Sequence, residues 1–206
     1  MKTKIDFDNW ERTDHFKFFN SFEESFFGAT VNVDCTKAYA RAKELDVSFF
    51  LYYLHCTLKA ANSLVHFRYR VENGDVYLHD TIGASATVGR PNDTFGFSYI
   101  DYYPDLSEFA THAKKEMERV AAGTGIELRP ITNVMHISAI PWLNFTGLTH
   151  ARGFQFEDSM PKVSYGKMTD NNGVKTMPVS VTVHHGLVDG KHLGDFVALF
   201  QQLLNN

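Results

Sequence analysis

Two adjacent histidines near the carboxyl terminus, His184 and His185, are the strongest candidates for chemistry in this sequence of 206 residues. An Asp-Gly pair follows at Asp189 and Gly190, so the segment reads His-His-x-x-x-Asp-Gly. An imidazole titrates near neutrality, and a buried His185 could therefore act as a general base on a substrate hydroxyl or thiol. The carboxylate four residues later could fix the local geometry without reacting. A single histidine is more often structural, and an Asp-Gly pair is often only a turn, so both interpretations stay open.

The elements that must position these residues are predicted to be a strand and a helix. Between Met177 and His184 three valines alternate with polar residues, which is the period-two pattern of a strand with two distinct faces. His185 falls on the valine face of this pattern. After the Asp-Gly pair, apolar residues recur at helical spacing to the end of the chain, at Leu193, Phe196, Val197, Phe200 and Leu204.

The segment resembles the signature of the chloramphenicol acetyltransferase family, whose catalytic histidine lies in HHxxxDG. The shorter HxxxDG is a weak signal, because it recurs in plant acyltransferases, peptide-synthetase condensation domains and dihydrolipoyl acyltransferases. Three further stretches resemble family motifs and occur in the family order: FDNWERTDHFKFF, HISAIPWLNFTG and KVSYGK. The resemblance covers essentially the whole chain and implies a single domain, residues 1–206, of the CoA-dependent acyltransferase type.

The resemblance also implies catalytic roles. His185 would be the general base, and Ser138 would donate a hydrogen bond to the tetrahedral oxyanion. Without that resemblance, a serine in an apolar strand would be expected only to bond to backbone. Arg12 falls on the arginine that pairs with the aspartate of the signature, here Asp189, and such a pair would lock the catalytic loop.

The ligand residues implied by the resemblance form two groups. Acetyl-CoA, as co-substrate, would be contacted by Ser138, Ser164 and Lys167. The acceptor pocket would be lined by five phenylalanines, namely Phe18, Phe19, Phe27, Phe95 and Phe97. For Phe97, plain packing within the sheet is an equal alternative. The family further implies a homotrimer with active sites between subunits, where each histidine faces a neighbour's pocket.

The identity of the acceptor is less narrowly defined than the reaction. Phe19 stands where chloramphenicol-modifying members carry a tyrosine, and Glu23, Arg152 and Lys162 fall near positions that are apolar there. A charge in a pocket for an apolar antibiotic is costly unless it is paired. We therefore predict an acetyl-CoA-dependent O-acetyltransferase acting on chloramphenicol or a related small molecule. The alternative is an acetyltransferase-like protein with a different acceptor, or a catalytically silent binder of small molecules.

Composition limits the other classes of function. A hydrophobic content of 44% with 14% aromatic residues is sufficient for a full core, and a net charge of −4 argues against nucleic-acid binding. Cys35 and Cys56 are the only cysteines, which is too few for a disulfide framework. The first residues lack the apolar core of a signal peptide, and no apolar run is long enough to span a membrane. These features indicate a cytoplasmic protein.

Strands and helices alternate loosely along the chain. We therefore expect an α/β fold, a two-layer sandwich in which a large mixed β-sheet carries helices on one face. Strands are predicted over residues 30–33, 68–71, 76–79, 84–88, 94–101, 135–140 and 161–168, and helices over 14–20, 36–45, 48–63 and 106–122.

Two rival functions use the same histidines. A dihydrolipoyl acyltransferase core would use His185 but would also require a lipoyl domain and linker, which these residues do not contain. A metal or ligand binder could use His184, His185 and His192, but this spacing matches no established site and no cysteine or carboxylate cluster supports it. We therefore expect no metal.

Overall fold

The helices of the computed structural model, which describes residues 1–206, follow the apolar periodicity of the sequence. In the two longest central helices a polar side chain caps the first turn: Ser48 Oγ accepts from the backbone N–H of Leu51 (3.2 Å), and the Asp105 carboxylate accepts from that of Glu108 (2.9 Å). The helices are, in chain order, α1 (Thr13–Asn20), α2 (Thr36–Glu44), α3 (Phe49–Ser63), α4 (Leu106–Ala122) and α5 (Gly190–Leu204).

The strands form two sheets of unequal size. They are β1 (Lys2–Lys4), β2 (Phe26–Asp34), β3 (Tyr69–Glu72), β4 (Asp75–His79), β5 (Gly83–Gly89), β6 (Phe95–Ile100), β7 (Val134–Ala139), β8 (Lys162–Tyr165), β9 (Thr169–Asn171) and β10 (Val174–His184). The large sheet has the order β2-β10-β8-β7-β5-β6, with β9 pairing to β10, and the small sheet has the order β1-β4-β3. Because β7 runs parallel to both β5 and β8 while the other pairs are antiparallel, the large sheet is mixed.

The helices cover the valine face of β10. Val179, Val181 and Val183 are at most 1% exposed and belong to one apolar cluster with side chains of α3 and α5, including Leu54 and Phe196. Phe196 stacks on Phe67 with ring centroids 4.5 Å apart. Burial of each such aliphatic or aromatic side chain stabilises the fold by about 1.5–3 kcal/mol. The expected α/β sandwich with a large mixed sheet is confirmed.

The hairpin of the small sheet follows the expected turn chemistry. Asn73 and Gly74 join β3 to β4 with φ of 54° and 80°, both in the left-handed region that a two-residue type I′ turn requires. The carboxylate of Glu157 accepts from both backbone N–H groups of this turn, at 2.5 and 2.9 Å. The hairpin is thereby tied to the long irregular segment between β7 and β8.

Several strands differ from the sequence prediction. The strand expected at 30–33 begins at Phe26, because β2 pairs with β10 along its whole length as far as His184. The strand expected at 161–168 ends at Tyr165, and the chain then turns into β9. The third strand of the small sheet, β1, is formed by three exposed residues with no apolar alternation, which is why it was not predicted. None of the helices combines the length and the hydropathy that a membrane span requires.

Candidate active site

His185 lies immediately after β10, at the junction with α5. Its backbone N–H donates to Ser25 O (2.8 Å), which continues the β2–β10 ladder by one more bond. The imidazole stacks on Phe19 with ring centroids 3.8 Å apart and an interplanar angle of 4°, and it lies 4.3 Å from the ring of Phe27. Its Nδ1 is buried without a hydrogen-bond partner. The ring is thus held by two of the phenylalanines expected in the acceptor pocket, and the other nitrogen, Nε2, is neither buried nor hydrogen-bonded.

The adjacent His184 has a structural environment. It is 4% exposed, its Nδ1 accepts the backbone N–H of Gly186 (3.2 Å), and its ring meets the edge of Phe26 at 5.5 Å. Burial lowers the pKa of His184 to about 4, so the ring is neutral at pH 7. Of the two adjacent histidines, His185 is therefore the candidate for chemistry.

An ion pair holds the turn that follows His185. The Arg12 guanidinium, just before α1, donates to the Asp189 carboxylate at 2.7 Å and more weakly to His185 O (3.3 Å) and Gly186 O (3.4 Å). Burial raises the pKa of Asp189, but the hydrogen bond and charge of Arg12 outweigh this effect and hold that pKa below its usual value. Asp189 is ionised at pH 7. Arg12 therefore links the segment before α1 to His185 at one end of the turn and to Asp189 at the other.

A second contact to Asp189 comes from α5. The Nδ1 of His192 accepts the backbone N–H of Asp189 (3.2 Å), and its ring stacks on His66 with centroids 3.4 Å apart. Burial lowers the pKa of both rings, that of His66 to about 4. His192 therefore supports the loop, and the structure contains no group of three or more His, Cys, Asp or Glu side chains arranged to hold a metal ion.

Ser138 lies in a different part of the sheet, on the wall of a cavity of about 410 Å³. Phe95 and Phe97 of β6 line the same cavity, so three of the residues expected at the ligand site are together there. In the sheet register, Ser138 of β7 is opposite Ser164 of β8, which is opposite Ser180 of β10. The hydroxyl of Ser164 is fully buried and has no hydrogen-bond partner.

Within one chain, His185 and Ser138 do not belong to one site. His185 lies five positions after Ser180, the β10 residue at the level of Ser138. At roughly 3.4 Å per residue this separates the two levels by about 17 Å along the strand, and an odd number of positions puts the side chains on opposite faces of the sheet. The two groups of one chain therefore cannot act on the same reacting carbonyl.

The remaining expected ligand residues are less enclosed. Phe18 is 60% exposed and packs edge-on against Phe19 and Phe22. Lys167 is exposed just after β8, where its backbone N–H donates to Leu143 O (2.7 Å). Glu23 is exposed, whereas Lys162 is buried in the wall of the cavity that contains Ser138.

Two of the charged residues expected near the pocket, Arg152 and Lys162, belong to a polar cluster beside this cavity, and the sequence did not indicate their partners. Lys162 Nζ donates to Asp158 at 2.6 Å, and Arg152 donates to Glu24 at 2.7 Å. Both cations lie over the ring of Phe26, at 4.5 and 3.6 Å from its centroid. Arg152 and Asp158 come from the irregular segment between β7 and β8, where no periodicity indicates which side chains point inward.

The sequence and the fold match known acyltransferases over nearly their full length. A family model described as chloramphenicol acetyltransferase matches residues 1–201. Chloramphenicol acetyltransferase 3 of Escherichia coli is 28% identical over 211 residues, which cover 99% of this chain and 97% of that protein.

Solved structures give the same result for the fold. A solved chloramphenicol acetyltransferase superposes with a TM-score of 0.88 and 32% identity over 99% of this chain and 100% of the other. A probable dihydrolipoamide acetyltransferase from Listeria monocytogenes has the same fold, with a TM-score of 0.66 and 12% identity over 93% and 88% of the two chains. The chain described here belongs to the chloramphenicol acetyltransferase family and is an acyltransferase.

Proposed function

We propose that this protein transfers the acetyl group of acetyl-CoA to a hydroxyl group of chloramphenicol or a related small molecule, with His185 as general base. The observation that carries the proposal is the environment of His185. Its ring stacks on Phe19, Arg12 donates to its backbone carbonyl, and its Nε2 is neither buried nor hydrogen-bonded in the single chain. This is what a proton-transfer group requires: a fixed orientation and a nitrogen that no structural bond occupies.

The reaction proceeds through one tetrahedral intermediate. His185 accepts the proton of the acceptor hydroxyl as that oxygen attacks the thioester carbonyl carbon. Ser138 donates a hydrogen bond to the oxyanion that forms, a type of contact whose removal costs about 2.7–4 kcal/mol in other acyl-transfer sites. The carbon–sulfur bond then breaks, and the imidazolium returns its proton to the departing thiolate. No covalent enzyme intermediate is required.

The distance between His185 and Ser138 supports an active site built by two copies of the chain. The two groups differ by about 17 Å along the sheet and lie on opposite faces, so a neighbour must supply one of them. Large apolar side chains between β7 and β8 are exposed in the single chain: Trp142 (78%), Phe154 (66%) and Phe156 (77%). Exposed aromatic residues of this kind are typical of subunit interfaces. The homotrimer implied by the family would provide that neighbour.

Acetyl-CoA would bind near Ser138. Ser164 presents a buried hydroxyl without a partner one strand away, and Lys167 presents an exposed cation beyond the end of the same strand. An ammonium group can contact the phosphates of CoA as a point charge. No metal takes part in this proposal. The cytoplasm is the proposed location, because the reaction needs a supply of acetyl-CoA. Both cysteines are free thiols, which is consistent with a reducing compartment.

The test is acetyl transfer measured as release of the CoA thiol, with acetyl-CoA and chloramphenicol as substrates. His185→Ala should abolish nearly all turnover while circular dichroism and thermal unfolding show a folded protein. His112→Ala is the matched control, because His112 is exposed on α4, where its ring stacks on Tyr103. Substantial residual transfer in a folded His185→Ala protein would contradict the assignment of the general base.

A further inference from the structure

The cavity that contains Ser138 has one aromatic wall and one charged wall. Phe95 and Phe97 form the first, whereas Lys162, Asp158 and His150 lie on the second. Its volume of about 410 Å³ is in the range of small-molecule sites, which are usually mostly apolar with few polar groups. A buried ion pair in such a wall is costly for a neutral, apolar ligand that leaves it unsolvated.

Positive charge exceeds negative charge around this wall. Arg70 is fully buried, and all its hydrogen bonds go to backbone carbonyls, so no bonded carboxylate offsets its charge. Lys162 and Arg152 share Asp158, whose side chain is 21% exposed, at 2.6 and 3.6 Å, and the second partner of Arg152, Glu24, is nearly half exposed. Three buried or nearly buried cations therefore have two partly buried carboxylates between them, Asp158 and Glu72, and both of these act on the charge of Arg70.

Several hydrogen-bond donors at the charged wall also have no acceptor. Lys162 has three N–H donors, of which only two have oxygen partners, Asp158 and Met160 O. The Nε of Arg152 lies 3.6 Å from Asp158 and makes no hydrogen bond, and the Nε2 of His150 is buried without a partner. Since unpaired buried polar groups are destabilising, this set of donors suits a ligand group that brings acceptor oxygens and negative charge.

The pKa values of the neighbouring histidines are lowered by the same positive charges. Burial, followed by the charges of Lys162 and Arg152, lowers the pKa of His150, and burial together with Lys162 lowers that of His136 to about 4. Both rings are neutral at pH 7. A neutral imidazole can donate one hydrogen bond to an anion without adding a charge that must itself be desolvated.

We propose that the natural acceptor of this enzyme carries a carboxylate as well as the hydroxyl that is acetylated, and that Lys162 and His150 bind that carboxylate while Phe95 and Phe97 hold an apolar or aromatic body. This inference rests on the proposed acetyl transfer and narrows its acceptor to a hydroxy acid. Lys162 and His150 are specificity residues and do not take part in the proton transfers.

The alternative role for the cluster is purely structural. The stacking of Arg152 and Lys162 on Phe26, together with the Arg152–Glu24 pair, fastens the segment between β7 and β8 to β2. That role accounts for the two cations near Phe26. It does not account for the unpartnered His150 nitrogen, since a packing role would be served as well by an aliphatic side chain.

The experiment compares three acceptors in the thiol-release assay: phenyllactate, phenyllactamide and chloramphenicol. The first two have the same hydroxyl and ring and differ only in the charge of one group. A hydrogen-bonded charge contributes about 1.5–3 kcal/mol, so kcat/KM for the acid should exceed that for the amide by about tenfold to a hundredfold. Equal values for the acid and the amide would overturn the proposal.

Variants locate the effect. In His150→Leu and Lys162→Met, KM for phenyllactate should rise by about tenfold or more while values for phenyllactamide change little. The matched controls are His112→Leu and Lys114→Met, both on exposed positions of α4, and they should leave both acceptors unchanged. If Lys162→Met unfolds because Asp158 loses its partner, His150→Leu alone decides the question. A preference for the acid that survives His150→Leu in a folded protein would contradict this placement of the carboxylate.

The outcomes separate this inference from the proposed function. If chloramphenicol is acetylated rapidly and phenyllactate is not preferred over phenyllactamide, the proposed acetyl transfer is supported and the proposed hydroxy-acid specificity is wrong. Transfer to any acceptor that persists in His185→Ala would remove the proposed mechanism itself.

Discussion

The Arg12–Asp189 pair should couple stability to catalysis, and a double-mutant cycle can measure both effects. The two side chains meet at 2.7 Å, with 11% of the Arg12 side chain and 36% of the Asp189 side chain exposed. The perturbation consists of Arg12→Met, Asp189→Asn and the double variant. Arg12→Met keeps an aliphatic stem of similar reach, and Asp189→Asn keeps a side chain that can cap α5.

The magnitude follows from the partial burial of the pair. Fully exposed pairs contribute about 0.2–1 kcal/mol, and hydrogen bonds to charged groups in shielded sites about 1.5–3 kcal/mol. Because Asp189 is about one-third exposed, we expect a coupling free energy of about 1–2 kcal/mol, below the range for a fully buried pair. Activity should fall further than this value suggests. Arg12 also holds the carbonyl of His185, and a small displacement of the ring would lower kcat by about tenfold to a hundredfold.

The assay is urea denaturation of the four proteins at pH 6 and pH 8, with kcat measured in parallel. The pKa of Asp189 is held below its usual value, so its contribution is complete above the unfolded pKa and is lost only as pH falls through the lower folded pKa. The coupling should therefore be the same at both pH values. Lys191→Met with Asp195→Asn is the matched control, because that pair on α5 is largely exposed and should show coupling near zero.

Additive effects of the two substitutions, together with unchanged kcat in both single variants, would refute the role given to this pair. If the coupling free energy has the expected size but kcat is unchanged, the pair stabilises the fold and does not position His185.

Two further predictions concern the fold. Burial is the largest cause that lowers the pKa of His66, His136 and His184 to about 4 in the folded protein, whereas these histidines titrate near pH 6.5 in the unfolded chain. The unfolded state therefore binds more protons between these values. The free energy of unfolding should be constant above pH 6.5 and should fall as the pH decreases toward 4. Urea midpoints that are equal at pH 7 and pH 5 would contradict this assignment. Phe196→Ala should lower the free energy of unfolding by about 3–5 kcal/mol, since the side chain is fully buried against Phe67, and a loss below about 1 kcal/mol would show that its packing is misassigned.

Elements with a strong periodicity were predictable from the sequence. The bounds of α4 agree with the prediction because its apolar stripe is regular, Asp105 caps its first turn and Gly123 follows its last. The start of β2 was not predictable, because Phe26 and Phe27 join the strand through their pairing with His184 and Val183. Such long-range pairing leaves no local signal in residues that are also compatible with an irregular aromatic segment.

The candidate site was predictable only in part for a similar reason. The His-His-x-x-x-Asp-Gly pattern is local and places His185 at a strand–helix junction. The partner of Asp189 lies 177 positions away, and only the resemblance to a family pointed to Arg12. The charged wall of the Ser138 cavity was missed because His150 and Asp158 lie in an irregular segment, whose side-chain directions depend on tertiary packing.

The central claim is that one copy of the chain supplies His185 and a neighbouring copy supplies Ser138. The direct measurement is complementation between His185→Ala and Ser138→Ala chains, each nearly inactive alone, after co-expression or joint refolding. In randomly mixed oligomers about one quarter of the interfaces would combine an intact His185 with an intact Ser138, so about a quarter of the wild-type activity should return. If mixed oligomers form and activity stays at the level of the separate variants, the active site does not lie between subunits and the account is wrong.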